Sequence, residues 1–141
     1  PNQFELEYLA GRTITTIADA VAAVEAIRAR GPRIVMVTSL VTEDTPADAI
    51  DLLACGPNGR FRVRTPRLAV SVNGAGDAIA ALFFVHAAAS GDEAFALSRA
   101  ASSVFGLLRR TGEAGSREIL TVAAQDEFVT PSRLFTAEPI A

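Results

Sequence analysis

The pentapeptide Asn73-Gly74-Ala75-Gly76-Asp77 opens straight into the apolar run Ala78–Ala89, and this junction constrains the chain more than any other stretch. Two glycines around one small residue let the backbone come close to a ligand. The run that follows is shorter than the roughly 20 residues a membrane span requires, and it contains His86, so it reads as a buried helix. A loop that becomes a helix presents unpaired N–H groups and the positive end of the macrodipole. Such a junction suits a bound phosphate. Asp77 falls in the first turn. A carboxylate there accepts a proton from a hydroxyl attacking a held phosphoryl group, and it equally serves as a helix cap. The pentapeptide alone leaves both roles open. It is not a Walker A loop, because Gly-Lys-Ser/Thr is missing, and Ile79 stands where the dinucleotide fingerprint has its last glycine.

Around this junction the chain alternates helix and strand signals. Asn2 and Glu5 have capping-box spacing, which predicts a helix to Ala10 ending at Gly11. Thr16 caps a second helix, with Ile17, Val21, Val24 and Ile27 on one face and a stop at Gly31-Pro32. Ile34–Val37 reads as a buried parallel strand with Thr38-Ser39 at its C-terminal end, where open α/β sheets collect ligands. Ala49–Ala54 and Phe61–Arg64 flank Gly56-Pro57-Asn58-Gly59, a hairpin expected at the sheet edge. Asp92 caps a helix to about Arg110, stopping at Thr111-Gly112. Ile119–Ala124 reads as a short strand, and the tail with Pro131 and Pro139 as irregular.

This order is α/β material. It holds too few parallel strands for a complete doubly wound sheet, so an open edge and an uncovered apolar face are expected. Half the residues are apolar and mean hydropathy is +0.30, which fits either a dense Ala-rich core or a surface covered by something further. The net charge of −3 with scattered arginines argues against nucleic-acid binding. The one arginine cluster, Arg60, Arg62, Arg64 and Arg67, reads as a solvated strand face or as a phosphate-facing edge. The lone Cys55 cannot form an internal disulfide and suits a reducing, cytoplasmic setting. His86 has no metal-ligand spacing around it and reads as a core or boundary histidine, and Phe83-Phe84 reads as core.

Asn73–Asp77 followed by an apolar helix resembles the G-x-G-D signature of the ribokinase-like superfamily. Pro1–Glu7 resembles that superfamily's N-x-x-E motif in its pyridoxal-kinase form. Val37–Leu40 and Val122–Asp126 also resemble pyridoxal kinases, and all four matches occur in the family's order. The resemblance implies the C-terminal portion of a three-layer ribokinase-like fold, with parallel strands, an edge hairpin and helices packed on the sheet. It implies transfer of the ATP γ-phosphate to the 5′-hydroxyl of pyridoxal, and also of pyridoxine or pyridoxamine. Asp77 would be the base that contacts this hydroxyl, and Gly74, Ala75 and Gly76 would supply anion-hole amides. Asn2 and Glu5 would act near the phosphates, Glu5 through water on Mg²⁺. Thr38 would approach the phosphates, while Asn73 and Thr65, Pro66, Arg67 and Leu68 would flank the nucleotide. A homodimer is implied as well. Ala75 departs from the threonine usual in the family, which removes a hydroxyl near the phosphates. Family members also carry an N-terminal half with most of the pyridoxal site and its lid, so residues 1–141 are expected to be the nucleotide-binding, catalytic part only. A hydroxymethylpyrimidine or sugar kinase, and an inactive nucleotide-binding or oligomerisation fragment, are the alternatives.

Overall fold

The computed structural model describes residues 1–141. Its elements are α1 (Gln3–Ala10), α2 (Ile17–Arg28), β1 (Val35–Leu40), β2 (Ala49–Gly56), β3 (Gly59–Pro66), α3 (Ala75–Ser90), α4 (Glu93–Glu113), α5 (Asp126–Val129) and β4 (Glu138–Pro139). The expected capping box at α1 forms, and the expected Thr16 cap of α2 turns out to be a second box. The Asn2 side chain accepts from the Glu5 N–H while the Glu5 carboxylate accepts from the Asn2 N–H. Thr16 and Asp19 repeat the pattern. Gly11 closes α1 in the left-handed conformation at φ 64°.

The sheet has the order β1-β2-β3-β4 and lies between two helical layers. Strand alternation sends successive residues to opposite faces. Leu52 and Val63 are paired, and both join a core with Leu97, Ala100 and Phe105 of α4 and Ile79 and Phe83 of α3. One residue on, Leu53 faces the other way, into a core with Leu6 of α1 and Val24 of α2. This is the three-layer α/β arrangement that the motifs imply, and both cores use the same strands.

Several local expectations change. β1 pairs antiparallel with β2, not parallel, because only residues 41–48 connect them and a parallel pair needs a crossover of a dozen or more residues. Parallel pairing survives as isolated bridges, Asn2 with Thr38 and Asn73 with Glu118. The hairpin β2–β3 is central rather than marginal, although the outer strand β4 covers only Phe61 and Arg62. Ile119–Ala124 forms turns instead of a strand, with the Leu120 carbonyl accepting from Ala124 N–H at 2.9 Å. The helix α3 is not buried all round: Phe83 is core, but Phe84 is 72% exposed. A helix that is apolar on every side lacks the periodic signal that distinguishes its faces. No helix is long and apolar enough to cross a membrane.

Candidate functional site

A cleft of about 440 Å³ opens on the α3/α4 side of the sheet. Its floor comes from Thr38, Ile50, Leu52 and Thr65, its walls from Arg67–Val72 without Ala69, and its far side from α3 and α4. Seven of the residues expected in a nucleotide site line it: Thr38, Thr65, Pro66, Arg67, Leu68, Ala75 and Gly76. They come from β1, β3, the following loop and the first turn of α3, so folding, not chain proximity, brings them together.

The start of α3 explains why this cleft suits an anion. Gly74 is the N-cap at φ 89°, a left-handed conformation that glycine adopts freely. It has no side chain with which to cap, so the first amides of α3 receive no side-chain partner. The Ala78 N–H is the first to bond back, to the Gly74 carbonyl at 3.0 Å. The amides of Ala75, Gly76 and Asp77 are therefore free for a ligand. Ala75 and Gly76 belong to the cleft wall, whereas Asp77 is exposed and stands just beyond it. Asn73 is exposed too; its side-chain amide donates to Glu118 Oε1 at 2.9 Å.

Asn2 and Glu5 do not line the cleft. Asn2 is bridged to Thr38 in parallel register, and the Thr38 N–H donates to the Pro1 carbonyl at 2.9 Å. Asn2 lines a neighbouring shallow hollow with Gln3, and Ser39 borders both spaces. Glu5 lies on the exposed side of α1. No three His, Cys, Asp or Glu side chains converge as a metal site.

Charge is divided cleanly between the two faces of the sheet. Arg60, Arg62 and Arg64 alternate onto the face opposite the cleft, where acidic partners meet them. Arg60 pairs with Glu25 at 3.2 Å and Arg62 with Asp44 at 2.9 Å. Arg64 grips the fully buried Asp51 through two bonds of 2.7 and 2.8 Å. The Asp51 hydrogen bond, followed by its charge, raises the Arg64 pKa further. A hydrogen bond from Thr42 leads the causes that hold the Asp44 carboxyl below its usual range. These three arginines are a paired face, not a phosphate edge. Arg67 differs: it is exposed, forms no ion pair and is the only cation in the cleft wall.

Two features of the lining escaped the sequence reading, the backbone strain at Ser39 and the α4 wall. Ser39 is the only non-glycine residue with positive φ, at 54°, where the β1–β2 register slips between Val37 and Leu40. Such strain concentrates at functional positions, but nothing in a Thr-Ser dipeptide announces it. Ala101, Val104, Phe105 and Leu108 form the α4 wall. Their spacing of three and four was a signal of one helical face, indistinguishable from a core stripe.

Comparison with known proteins adds the lineage. The sequence pattern of the pfkB family carbohydrate kinases matches residues 1–113. A pyridoxal kinase PdxY from Granulibacter bethesdensis is 58% identical over 98% of this chain and 50% of its own length. A pyridoxal kinase PdxY from Deinococcus radiodurans is 48% identical over 99% of this chain and 49% of its own. The structure of pyridoxal kinase from Leishmania donovani in complex with ADP superposes with a TM-score of 0.87 at 23% identity, covering all of this chain and 50% of that one. The chain thus spans about half the length of the curated relatives it matches.

Proposed function

The chain belongs to the pfkB family of carbohydrate kinases, and from that membership we propose that residues 1–141 are the nucleotide-binding, catalytic part of an ATP-dependent pyridoxal kinase. The observation that carries this reading is the convergence of Thr38, Thr65–Leu68 and Ala75-Gly76 on one cleft at the uncapped start of α3. The 58% identity to a pyridoxal kinase supports the choice of acceptor.

On this reading the free amides of α3 hold the γ-phosphoryl oxygens as charge develops on them. Arg67 offers the nucleotide a fixed positive charge, and Thr38 and Thr65 present hydroxyls on the cleft floor. The apolar wall of Leu68, Val104, Phe105 and Leu108 takes the base. Asn73 helps to hold the loop. Asp77, exposed beside the amides, accepts the proton of the 5′-hydroxyl. Kinases of this kind use Mg²⁺ to neutralise phosphate charge. Mg²⁺ keeps several waters and needs only one or two carboxylates besides phosphates. Glu5 fits that mode through water, with Asn2 beside it. The site is consistent with Mg²⁺ in this form and not with an all-protein cage. Pyridoxine and pyridoxamine as further acceptors, pairing with a second copy, and a cytoplasmic setting belong to the same proposal.

The test uses a protein that carries this chain, assayed with ATP, Mg²⁺ and pyridoxal. Asp77→Asn should lower kcat by about 10²–10⁴-fold, the usual range for loss of a general base, and leave the KM for ATP nearly unchanged. Near-normal kcat would remove Asp77 from the mechanism. Faster phosphorylation of hydroxymethylpyrimidine or ribose than of pyridoxal would move the protein to another acceptor class. No turnover and no ADP binding would leave an inactive fragment.

A further inference from the structure

We infer that Thr111–Leu120 is a bracket that positions the anion loop, with a notch at Gly112 as its central contact; the identity of the ligand so positioned rests on the kinase reading above. The Thr111-Gly112 pair reads as the end of α4, yet the helix runs on to Glu113. Glycine inside a helix is less favourable than alanine, so its presence calls for another reason. That reason is steric. A Cβ on Gly112 would lie 2.5 Å from Val70 Cγ1, nearer than such atoms can sit. Val70 lines the cleft and is stiff about χ1.

The bracket continues on either side of the notch. Thr111 is fully buried; its hydroxyl donates to the Leu107 carbonyl at 2.7 Å and accepts the Leu120 N–H at 3.2 Å. This folds the segment after α4 back along the loop. The Asn73 N–H then donates to the Arg117 carbonyl at 3.0 Å, and its side chain donates to Glu118. Gly74 faces Ile119, whose Cγ1 would lie 3.2 Å from an added Cβ. The loop is therefore gripped at Val70, Asn73 and Gly74, immediately before the free amides of Ala75 and Gly76. Gly112, Thr111 and Glu118 do not line the cleft. They are positioning residues.

The experiment is a double-mutant cycle read by amide hydrogen exchange and by ADP binding. Gly112→Ala should speed exchange of the Asn73 amide, the one in this loop that donates to the bracket, by about tenfold and weaken ADP binding several-fold. In the Val70→Ala background, where the notch is empty, Gly112→Ala should change neither. Arg109→Ala is the control. It removes the exposed pair with Glu113 at the same helix end, 3.1 Å long, without touching the loop. Unchanged exchange at Asn73 in Gly112→Ala, with a raised Tm as helix propensity alone predicts, would overturn the bracket. So would equal loosening by Arg109→Ala, or an undiminished effect of Gly112→Ala in the Val70→Ala background. If the unsubstituted protein binds no ADP, the nucleotide reading fails, while the exchange data still decide the bracket.

Discussion

Single side chains and single backbone angles set the local limits of this molecule. Gly74 holds φ 89°, and alanine in the left-handed region costs about 1–2 kcal/mol. Gly74→Ala should therefore lower the urea midpoint by an amount corresponding to that cost, with an unchanged m-value. An unaltered midpoint would mean that the turn relaxes freely. His86 limits the molecule differently. Its Nε2 is buried without a partner, and its ring meets Phe95 edge-on at 5.9 Å. Burial, and then the charge of Arg99, holds its pKa below the usual histidine value of 6.5. The folded protein therefore prefers neutral imidazole, and the unfolded chain takes up the proton first as pH falls. The contribution is intact above pH 6.5, is lost as pH falls through the window below it, and levels off once the folded form also protonates. His86→Leu should flatten this acid-side loss in denaturant melts. Parallel slopes for the two proteins would acquit His86.

Among the elements, the hairpin is where charge and burial are most tightly linked. Asp51 is fully buried, and its partner Arg64 is 30% exposed. Arg64→Ala would leave that carboxylate with the Thr45 hydroxyl at 2.9 Å as its one side-chain partner. Breaking a buried pair in this way costs about 3–5 kcal/mol. Arg62→Ala, which removes contacts with the more exposed Asp44 and Glu138, should cost about 1 kcal/mol or less. Thermal melts of the two variants test this ranking, and equal losses would contradict it. The helices were legible because their signals are local: Asn2 with Glu5, Thr16 with Asp19, and Asp92 each act within one turn. Strand direction was not legible in Ile34–Val37, because a doubly buried apolar run looks the same in either pairing. Ile119–Ala124 imitated a strand by composition, and within it the Ile119 side chain instead faces Gly74. The cleft was legible in part. Thr38, Thr65–Leu68 and Ala75-Gly76 came through family resemblance, while the left-handed turn at Ser39 and the α4 wall depend on tertiary placement that no short window contains.

Taken whole, the molecule is a three-layer body with unusually bare flanks. Phe4 and Tyr8 on α1 are 76% and 81% exposed, and Phe84 and Val85 on α3 are 72% and 59% exposed. Exposed apolar surface of this kind favours association. Sedimentation velocity should show the isolated chain self-associating as its concentration rises, and Phe4→Ser with Tyr8→Ser should shift it toward monomer. A concentration-independent monomer in both would show that these flanks are inert. The core between the sheet and α2 carries a different consequence. Cys55 is the only thiol, it is fully buried, and burial pushes its pKa up to about 11. Reagents attack the thiolate, so a chromogenic disulfide can react only with molecules in which β2 has parted from α2. The colour that develops in native buffer is then a clock for those openings, and any ligand that holds the layers together will slow it.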